Sequence, residues 1–235
     1  MDPHEIGQRF AALTTAHLAD ACVRGQVPVR CAPSPVKAVV PGQRLAGRVL
    51  PTQHAGSVDI YLEAIEGAEP GDVLVVDDGG RLDAACVGDL VVQEVASAGL
   101  AGVLIWGMHR DTVDIRAIGL PVFSLGAIPT GPLSLTPRPA TALQLATVGE
   151  CTVSRDDLVL GDDDGVLFVP AAQAEQIFML AEAIRDTERV QAERMRAGES
   201  LREQVRFGAF LTDRAQNPAL TFREHLRAVR GAIEE

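Results

Sequence analysis

The segment between Val87 and Ile115 constrains the fold of this chain more than any other. It predicts a helix over about residues 88–98, the short link AGLAG and an apolar strand over about residues 102–106. A ten-residue helix is about 15 Å long and a five-residue strand is about 17 Å long. Because the link is so short, the strand must run back beside the helix. The start of the helix and the end of the strand therefore lie at the same end of this unit.

The rest of the N-terminal half also alternates helices with short strands rich in valine. Helices are predicted over residues 5–24, with Thr14 or Thr15 as a capping residue, and over residues 57–68. The segment between these helices is rich in Pro, Gly and Val, which is typical of short strands joined by turns. A buried strand is predicted over residues 73–76, between two turns.

The C-terminal half adds a strand over residues 120–126, a loop rich in Pro and Thr over residues 127–141, and a hairpin in the sequence LVLGDDDGVLFVP. A long helix is predicted over residues 171–197 and ends at Gly198. A last helix is predicted over residues 219–231.

Together these elements predict an α/β protein with a layered β core, an α/β/β sandwich like that of swivelling domains, with flanking helices. We predict an α/β domain over residues 1–170 and a helical C-terminal extension over residues 171–235. The aspartates at positions 162–164 could indicate a metal site, but a hairpin turn accounts for them more simply.

Composition excludes several classes of function. A net charge of −11 argues against wrapping nucleic acid, which requires a basic surface. Lys37 is the only lysine, so imine chemistry has a single candidate without visible activating neighbours. The four cysteines never form a CxxC pair and are expected to be reduced core thiols. No membrane span and no secretory signal are visible, so we expect a cytoplasmic protein with no membrane partner.

Charged residues and a glycine are expected to meet where the 88–98 helix begins and the following strand ends. Twenty residues separate Asp89 from the pair Arg110-Asp111, yet the geometry makes them neighbours. The first-turn amides from Gly88 to Val91 favour an anion, and Arg110 adds a planar fork suited to a carboxylate. Asp89 and Asp111 add oxygen ligands for a hard cation such as Mg²⁺. Such a pocket would suit an α-keto acid.

A simpler interpretation of the same residues stays open at this point. Asp89 can be the N-cap of its helix, and Arg110 and Asp111 can form an ion pair within a loop. Spacing alone does not distinguish this structural role from a functional one. His54, in the loop sequence PTQHAGSVD, is a further candidate for the border of the pocket.

The sequence resembles the family of 4-hydroxy-4-methyl-2-oxoglutarate aldolases and regulator-of-ribonuclease-activity-A-like (RraA-like) proteins. The matching signature is an Asp, twenty residues and then Arg-Asp, within the sequences CVGDL and GMHRD. Flanking pieces match as well: HLADA, PGDVLVVDDGG, LPVFSLG and LVLGDDDGVLFVP. The likeness covers most of residues 10–200.

The resemblance implies a homotrimeric or homohexameric enzyme that depends on Mg²⁺ or Mn²⁺ and has its active sites at subunit interfaces. It implies that Asp111 binds the metal directly and that Asp89 holds a metal-bound water. Arg110 would bind pyruvate and stabilise its enolate. The backbone amides of Leu90 and Val91 would hold the carboxylate of the substrate.

Other assignments from the resemblance are less sharp. The family uses a glutamate from the C-terminal helix of a neighbouring subunit, for which Glu188 is the first candidate and Glu193 the second. A surface ion pair accounts for either residue equally well. His109 stands where the family commonly has a small or apolar residue, so it either changes substrate preference or is only a rim residue. Residues 1–170 would be the catalytic domain, and residues 171–235 would take part in oligomer packing.

The implied reaction is a metal-dependent retro-aldol cleavage that releases pyruvate and a second keto acid. The substrate would be a 4-hydroxy-2-oxo acid of the 4-hydroxy-4-methyl-2-oxoglutarate or 4-carboxy-4-hydroxy-2-oxoadipate type. Oxaloacetate decarboxylation is expected as a side activity because it forms the same enolate. One alternative is a non-enzymatic regulator that binds a ribonuclease or helicase, against which the intact Arg-Asp pair argues. Another is a related enolate-forming enzyme of a different pathway.

Overall fold

Twelve strands lie within residues 1–229, the part of the chain that our computed structural model describes. They are β1 (Arg30–Cys31), β2 (Lys37–Ala38), β3 (Leu45–Gln53), β4 (Val73–Asp77), β5 (Ala85–Val87), β6 (Gly102–Trp106), β7 (Met108–His109), β8 (Val122–Ser124), β9 (Ala146–Val148), β10 (Cys151–Val153), β11 (Asp157–Gly161) and β12 (Val166–Pro170). Eight strands form one sheet in the order β1-β12-β11-β3-β4-β6-β8-β2. The pairs β9-β10 and β5-β7 form two small sheets.

Helices flank this sheet and make up the C-terminal part of the chain. They are α1 (Pro3–Ala11), α2 (Thr15–Arg24), α3 (Asp59–Glu66), α4 (Asp89–Ser97), α5 (Thr112–Ile118), α6 (Ala174–Arg196), α7 (Leu201–Gln204), α8 (Phe207–Gln216) and α9 (Phe222–Val229). No helix within residues 1–229 combines the length and the apolar character that a membrane span requires. The predicted α/β class, with its β core, flanking helices and helical C-terminal part, is confirmed.

Parallel pairing in the middle of the large sheet determines which residues come together. Strands β3, β4, β6 and β8 pair in parallel, whereas β1, β2, β11 and β12 join them antiparallel. Strand β4 is buried on both faces, which is why its sequence is an almost continuous run of valine and leucine. Leu74 and Val76 pack among the residues of α3 and α4, and Val73 and Val75 pack on the opposite face with Phe123.

A separate apolar cluster fixes the N-terminal helices and the first half of α6 to the antiparallel end of the sheet. Phe10, Leu18 and Phe178 are buried together against Leu160 and Leu167 from strands β11 and β12. The segment after residue 170 therefore begins inside the core of the protein, and the proposed domain division at that point stays a prediction.

Two details of the sequence-based prediction are wrong. The single helix over residues 5–24 is two helices, because the chain leaves helical geometry at Thr14. Thr14 does cap the second helix, as predicted: its hydroxyl accepts from the amide of His17, and the His17 ring accepts from the amide of Thr14. Cys31 is exposed, so the four cysteines are not all core thiols.

The last helix is present as α9, and its predicted end at residues 230–231 lies outside the described residues.

The hairpin between β11 and β12 is confirmed, and its first aspartate connects it to helix α2. Asp162 is buried and accepts hydrogen bonds from the amide (2.7 Å) and hydroxyl (2.6 Å) of Thr15 and from the amide of Asp164 (3.1 Å). The carboxylate lies at the N-terminus of α2, where the helix dipole favours negative charge. Asp162 therefore has a structural role that accounts for its burial.

Replacing Asp162 with alanine is expected to lower the free energy of unfolding by about 2–3 kcal/mol, because the buried Thr15 donors lose a charged acceptor. Urea denaturation followed by circular dichroism measures the change. Asp164→Ala is the matched control, since Asp164 is exposed and is expected to shift stability by less than about 0.5 kcal/mol. Equal effects of the two substitutions would contradict the structural role of Asp162.

Candidate active site

The start of α4 and the end of β7 are joined by backbone pairing. Strand β5 runs parallel to β7, and the amide of Arg110 donates to the carbonyl of Val87 at 3.0 Å. Gly88 follows Val87 directly, and Asp111 follows Arg110. A Cβ atom on Gly88 would lie 2.6 Å from Asp111 Oδ2 and 3.3 Å from Arg110 Nε. The predicted neighbourhood of the start of α4 and the Arg110-Asp111 pair, with twenty residues between Asp89 and Arg110, is confirmed.

These residues border a cavity of about 190 Å³. All four predicted substrate-binding positions line it: Gly88, Leu90, Val91 and Arg110. His54 and Asp89 line it as well. Asp111 does not line the cavity itself. Its carboxylate lies next to Gly88 and Arg110, which do line it. The wall is largely apolar, so charges placed in it act more strongly than they would in water.

Helix α4 begins with backbone donors that no capping side chain satisfies. Gly88 is its N-cap, with extended geometry, and Asp89 is the first helical residue. The interpretation of Asp89 as the N-cap is therefore wrong. The first amides of a helix have no acceptor within the helix, and at this terminus no side chain provides one. The start of α4 is thus a site where an anionic group can accept hydrogen bonds.

Arg110 and Asp111 form the ion pair that the simpler interpretation predicted, with 3.3 Å between Arg110 Nε and Asp111 Oδ2. The pair leaves about half of the Arg110 side chain exposed, so the guanidinium remains accessible from the cavity. Asp111 adopts a left-handed backbone conformation (φ 59°, ψ 41°), which is uncommon for a residue other than glycine. The chain turns sharply there and starts α5 directly afterwards.

The loop over residues 127–141 closes one side of the cavity, and its irregular structure is as predicted. Thr130 accepts a hydrogen bond from the amide of Ala85 at 2.7 Å, and Pro132 lines the cavity. A Cβ atom on Gly131 would lie 2.7 Å from Arg110 Nη1. The absence of a side chain at Gly131 lets the loop approach the guanidinium this closely in its present position.

His109 is not a rim residue, which corrects that prediction. It is buried, with Nδ1 2.8 Å from Ser124 Oγ and Nε2 3.0 Å from Thr112 Oγ1. Burial lowers the pKa of the imidazole, which keeps the ring neutral. The buried His109 ring therefore connects the end of β7 to β8 and to α5. These contacts hold the backbone next to the Arg110-Asp111 turn in place.

His54 borders the cavity, as predicted, and a residue that the sequence analysis missed holds it in place. His54 Nδ1 lies 2.8 Å from Asp78 Oδ1, and the ring stacks on Tyr61. A positional signal for Asp78 was available in the sequence. His54 follows β3 and Asp78 follows β4, and the carboxyl ends of parallel neighbouring strands meet at one edge of a sheet.

The two C-terminal glutamates do not line the cavity of their own chain. Glu188 Oε2 lies 2.9 Å from Nε2 of His17, which is the surface ion pair that the sequence analysis gave as its alternative role. About half of the Glu188 side chain remains exposed.

Comparison with known proteins identifies the family. The family model described as "RraA-like: Aldolase/RraA" matches residues 15–168, which is more than half of the chain. The chain belongs to the RraA-like family. The matched region contains the whole cavity and both strands of the β5-β7 pair.

Individual relatives of this RraA-like chain carry different names. A Halalkalibacterium halodurans protein named "Putative 4-hydroxy-4-methyl-2-oxoglutarate aldolase" is 31% identical over 124 residues, 51% of this chain and 56% of that protein. The chain thus spans a little over half the length of that relative. The structure of Streptomyces coelicolor RraAS2, described as an unusual member of the RNase ES inhibitor RraA protein family, is similar with a TM-score of 0.68 and 26% identity. The match covers 81% of this chain and 96% of RraAS2.

A further structure, an uncharacterized protein from Pseudomonas syringae pv. tomato, matches with a TM-score of 0.74 and 25% identity over 85% of this chain and 96% of its own. The RraA-like fold is therefore shared by proteins named for an aldolase reaction and proteins named for ribonuclease inhibition. The fold alone does not distinguish these functions, and the residues of the site must do so.

The residues of this RraA-like site fit a hard divalent cation. Asp89 and Asp111 supply carboxylate oxygens, and the missing Cβ of Gly88 leaves open the space beside Asp111 Oδ2. Within residues 1–229, the one grouping of three or more potential metal ligands is a different set: His54, Asp78 and Cys86. The two aspartates would therefore hold a cation together with water or substrate oxygens, as is common for Mg²⁺.

Replacing Gly88 with alanine is expected to weaken Mn²⁺ binding at least tenfold, because the new Cβ atom would lie 2.6 Å from Asp111 Oδ2. Titration followed by electron paramagnetic resonance measures free Mn²⁺ directly. Gly7→Ala, with no atom within 4 Å of the new Cβ, is the matched control and should leave the affinity unchanged. Unchanged Mn²⁺ affinity in a folded Gly88→Ala protein would exclude the space beside Gly88 as the metal position.

Proposed function

We propose that this RraA-like protein is a divalent-metal-dependent lyase that cleaves a 4-hydroxy-2-oxo acid to pyruvate and a second keto acid. The observation that carries the proposal is that Arg110, Asp89 and the first amides of α4 border one small cavity, with the carboxylate of Asp111 beside Gly88. The aldolase name of the Halalkalibacterium halodurans relative supports the substrate class of the 4-hydroxy-4-methyl-2-oxoglutarate or 4-carboxy-4-hydroxy-2-oxoadipate type.

The anion-binding groups define where the pyruvate half of the substrate would lie. Its carboxylate accepts hydrogen bonds from the amides of Leu90 and Val91 at the start of α4, where the helix dipole adds to the attraction. Arg110 presents its guanidinium to the keto oxygen at the same cavity. The protein carries a net charge of −11, so this attraction is local to the site and does not come from the overall field.

Asp111, with Asp89, would hold Mg²⁺ or Mn²⁺, which supplies positive charge for the keto oxygen when it is bound. The reaction removes the proton of the C4 hydroxyl, and the C3–C4 bond then breaks. The electron pair of that bond forms the enolate of pyruvate, whose negative charge Arg110 stabilises. Protonation at C3 completes pyruvate. Loss of CO₂ from oxaloacetate leaves the same enolate, so decarboxylation is an expected side activity.

We further propose a homotrimer or homohexamer with the active sites at subunit interfaces. Three apolar side chains that lie close to the site, in sequence or in space, support an interface there. They are Leu90, Val113 and Leu133, which are 79%, 77% and 86% exposed. Exposed apolar side chains of this size are typical of surfaces that another chain covers. Residues 171–235 would contribute to this packing, and Glu188 or Glu193 of a neighbouring subunit would complete the site. The cytoplasm is the expected location, with no nucleic acid or membrane as partner.

A change of Glu188 to glutamine separates its two roles. A residue that only pairs with His17 would alter stability slightly, by about 0–1 kcal/mol, and leave turnover intact. A residue that enters the neighbouring site would lower kcat for cleavage at least tenfold. We expect the loss of kcat, and Glu193→Gln serves as the matched variant on the same helix. Wild-type turnover in both variants would remove this helix from the catalytic proposal.

The name of RraAS2 supports one alternative, in which the chain is a non-enzymatic regulator of a ribonuclease. Such a protein requires no anion site with an accessible arginine beside two carboxylates. The presence of that arrangement favours the enzyme.

The proposed function is tested by pyruvate release from 4-hydroxy-4-methyl-2-oxoglutarate and from oxaloacetate. Release is expected with Mg²⁺ and is expected to disappear with EDTA. Arg110→Ala is expected to lower kcat/KM at least 100-fold for both substrates, because it removes the charge that stabilises the enolate. Arg81→Ala, a surface arginine paired with Asp83 and absent from the cavity lining, is the control. Absence of turnover together with absence of metal binding would favour the regulator.

A further inference from the structure

The cavity contains a pair of residues for which the proposed function has so far given no role. His54 and Asp78 stand after the neighbouring parallel strands β3 and β4, and their side chains are only 3% and 6% exposed. His54 Nδ1 lies 2.8 Å from Asp78 Oδ1. The imidazole is held further by stacking on Tyr61, with ring centroids 5.6 Å apart and planes inclined by 12°. The ring therefore has a fixed orientation in the cavity wall.

The second nitrogen of His54 lacks a partner. Nε2 is buried and makes no hydrogen bond to any described residue, although His54 lines the cavity. A buried polar atom without a partner is unfavourable, and here it belongs to a side chain that lines the cavity, where a ligand can pair with it. The carboxylate of Asp78 can only accept, so it selects the tautomer with the proton on Nδ1. Nε2 is left with a free lone pair, which makes it a proton acceptor.

The neighbouring thiol, Cys86, has a hydrogen-bond partner of its own. Cys86 is the third member of the group formed with His54 and Asp78. Its Sγ faces the carbonyl of Met108 at 3.7 Å. Burial, together with the charge of Asp78, raises the pKa of the Cys86 thiol well above its usual range. Within the group, the hydrogen bond between His54 and Asp78 is the arrangement in which a carboxylate positions an imidazole to accept a proton.

We propose that His54 is the general base of the cleavage reaction and that Asp78 is its positioning residue. This inference rests on the proposed function and names the proton acceptor which that function leaves open. Nε2 takes the proton of the C4 hydroxyl as the C3–C4 bond breaks. The C4 oxygen becomes the carbonyl of the second keto acid, and the electron pair of the broken bond becomes the pyruvate enolate. The imidazolium is stabilised by Asp78 until it returns its proton to solvent.

The base role of His54 predicts that cleavage of a 4-hydroxy-2-oxo acid requires this residue and that decarboxylation of oxaloacetate does not. Cleavage of a 4-hydroxy-2-oxo acid cannot proceed until the C4 hydroxyl loses its proton. Oxaloacetate loses CO₂ from an ionised carboxylate, which has no proton to give up. Arg110 serves both reactions because both form the enolate, whereas His54 serves only the first. Decarboxylation therefore provides an internal control for the integrity of the site.

His54→Asn tests the inference, because asparagine can keep a donor near Asp78 but removes Nε2. The variant is expected to lower kcat for cleavage of 4-hydroxy-4-methyl-2-oxoglutarate at least 100-fold and to leave oxaloacetate decarboxylation within threefold of the wild-type rate. Asp78→Asn is expected to lower the cleavage kcat at least tenfold with little change in KM, and Asp78→Glu to recover part of it. His4→Asn, at an exposed position of α1, is the control.

The outcomes separate the inference from the function on which it rests. Equal losses of cleavage and decarboxylation in His54→Asn would mean that His54 maintains the site, and unchanged cleavage would mean that another group takes the proton. Either result overturns the base role while the lyase function stands. A wild-type protein that neither cleaves nor decarboxylates overturns the proposed function and the base role together. Near-unchanged decarboxylation in the variants also shows that they are folded.

Discussion

The parallel register of strands β3, β4 and β6 is the constraint on which the rest of the site depends. It brings His54 and Asp78 to one edge of the sheet and leads the chain after β6 into the short strand β7 at that edge. The hydrogen bond from the amide of Arg110 to the carbonyl of Val87 then joins the turn after β7 to the start of α4. Backbone hydrogen bonds therefore position the strand ends and the helix start that border the cavity, and side-chain contacts such as that of His54 with Asp78 complete the arrangement. A site built on strand ends needs little reorganisation when a ligand binds.

Close approach of backbone to charged side chains gives this cavity its chemical character. At Gly88 and Gly131 the side chains of Asp111 and Arg110 occupy the positions that a Cβ atom would take, so a substitution there would have to displace them. The result is a small volume bordered by helix amides, a guanidinium and the carboxylate of Asp89, with Asp111 beside Gly88. In such a volume an anion and a cation can be bound side by side, each reducing the cost of burying the other. That is the requirement of a reaction that builds negative charge on a keto oxygen.

The two histidines near the cavity show how environment separates their roles. His109 has both ring nitrogens engaged by hydroxyl groups, and burial keeps it neutral, so it supports the turn at Arg110 without any free atom. His54 has one nitrogen engaged by a carboxylate and the other without a partner. Only the second arrangement leaves a lone pair for a substrate. The difference lies in the partners of the rings and not in their distance from the site in sequence.

By itself, the sequence determined the α/β class, the hairpin at Asp162, the helix cap at Thr14 and the neighbourhood of Asp89 with Arg110 and Asp111. These features depend on hydrophobic periodicity, turn chemistry and the length of one short link, all of which are local. The tertiary structure decided what depends on contacts between distant segments: the break in the N-terminal helix, the burial of His109 and the pairing of His54 with Asp78. The sequence places Asp78 directly after a predicted strand, but its pairing with His54 depends on β3 and β4 being parallel neighbours, which only the sheet order decides. Local sequence patterns specify the helices, strands and turns. Tertiary packing decides which side chains are buried and which partners they have, and therefore which of them can take part in a reaction.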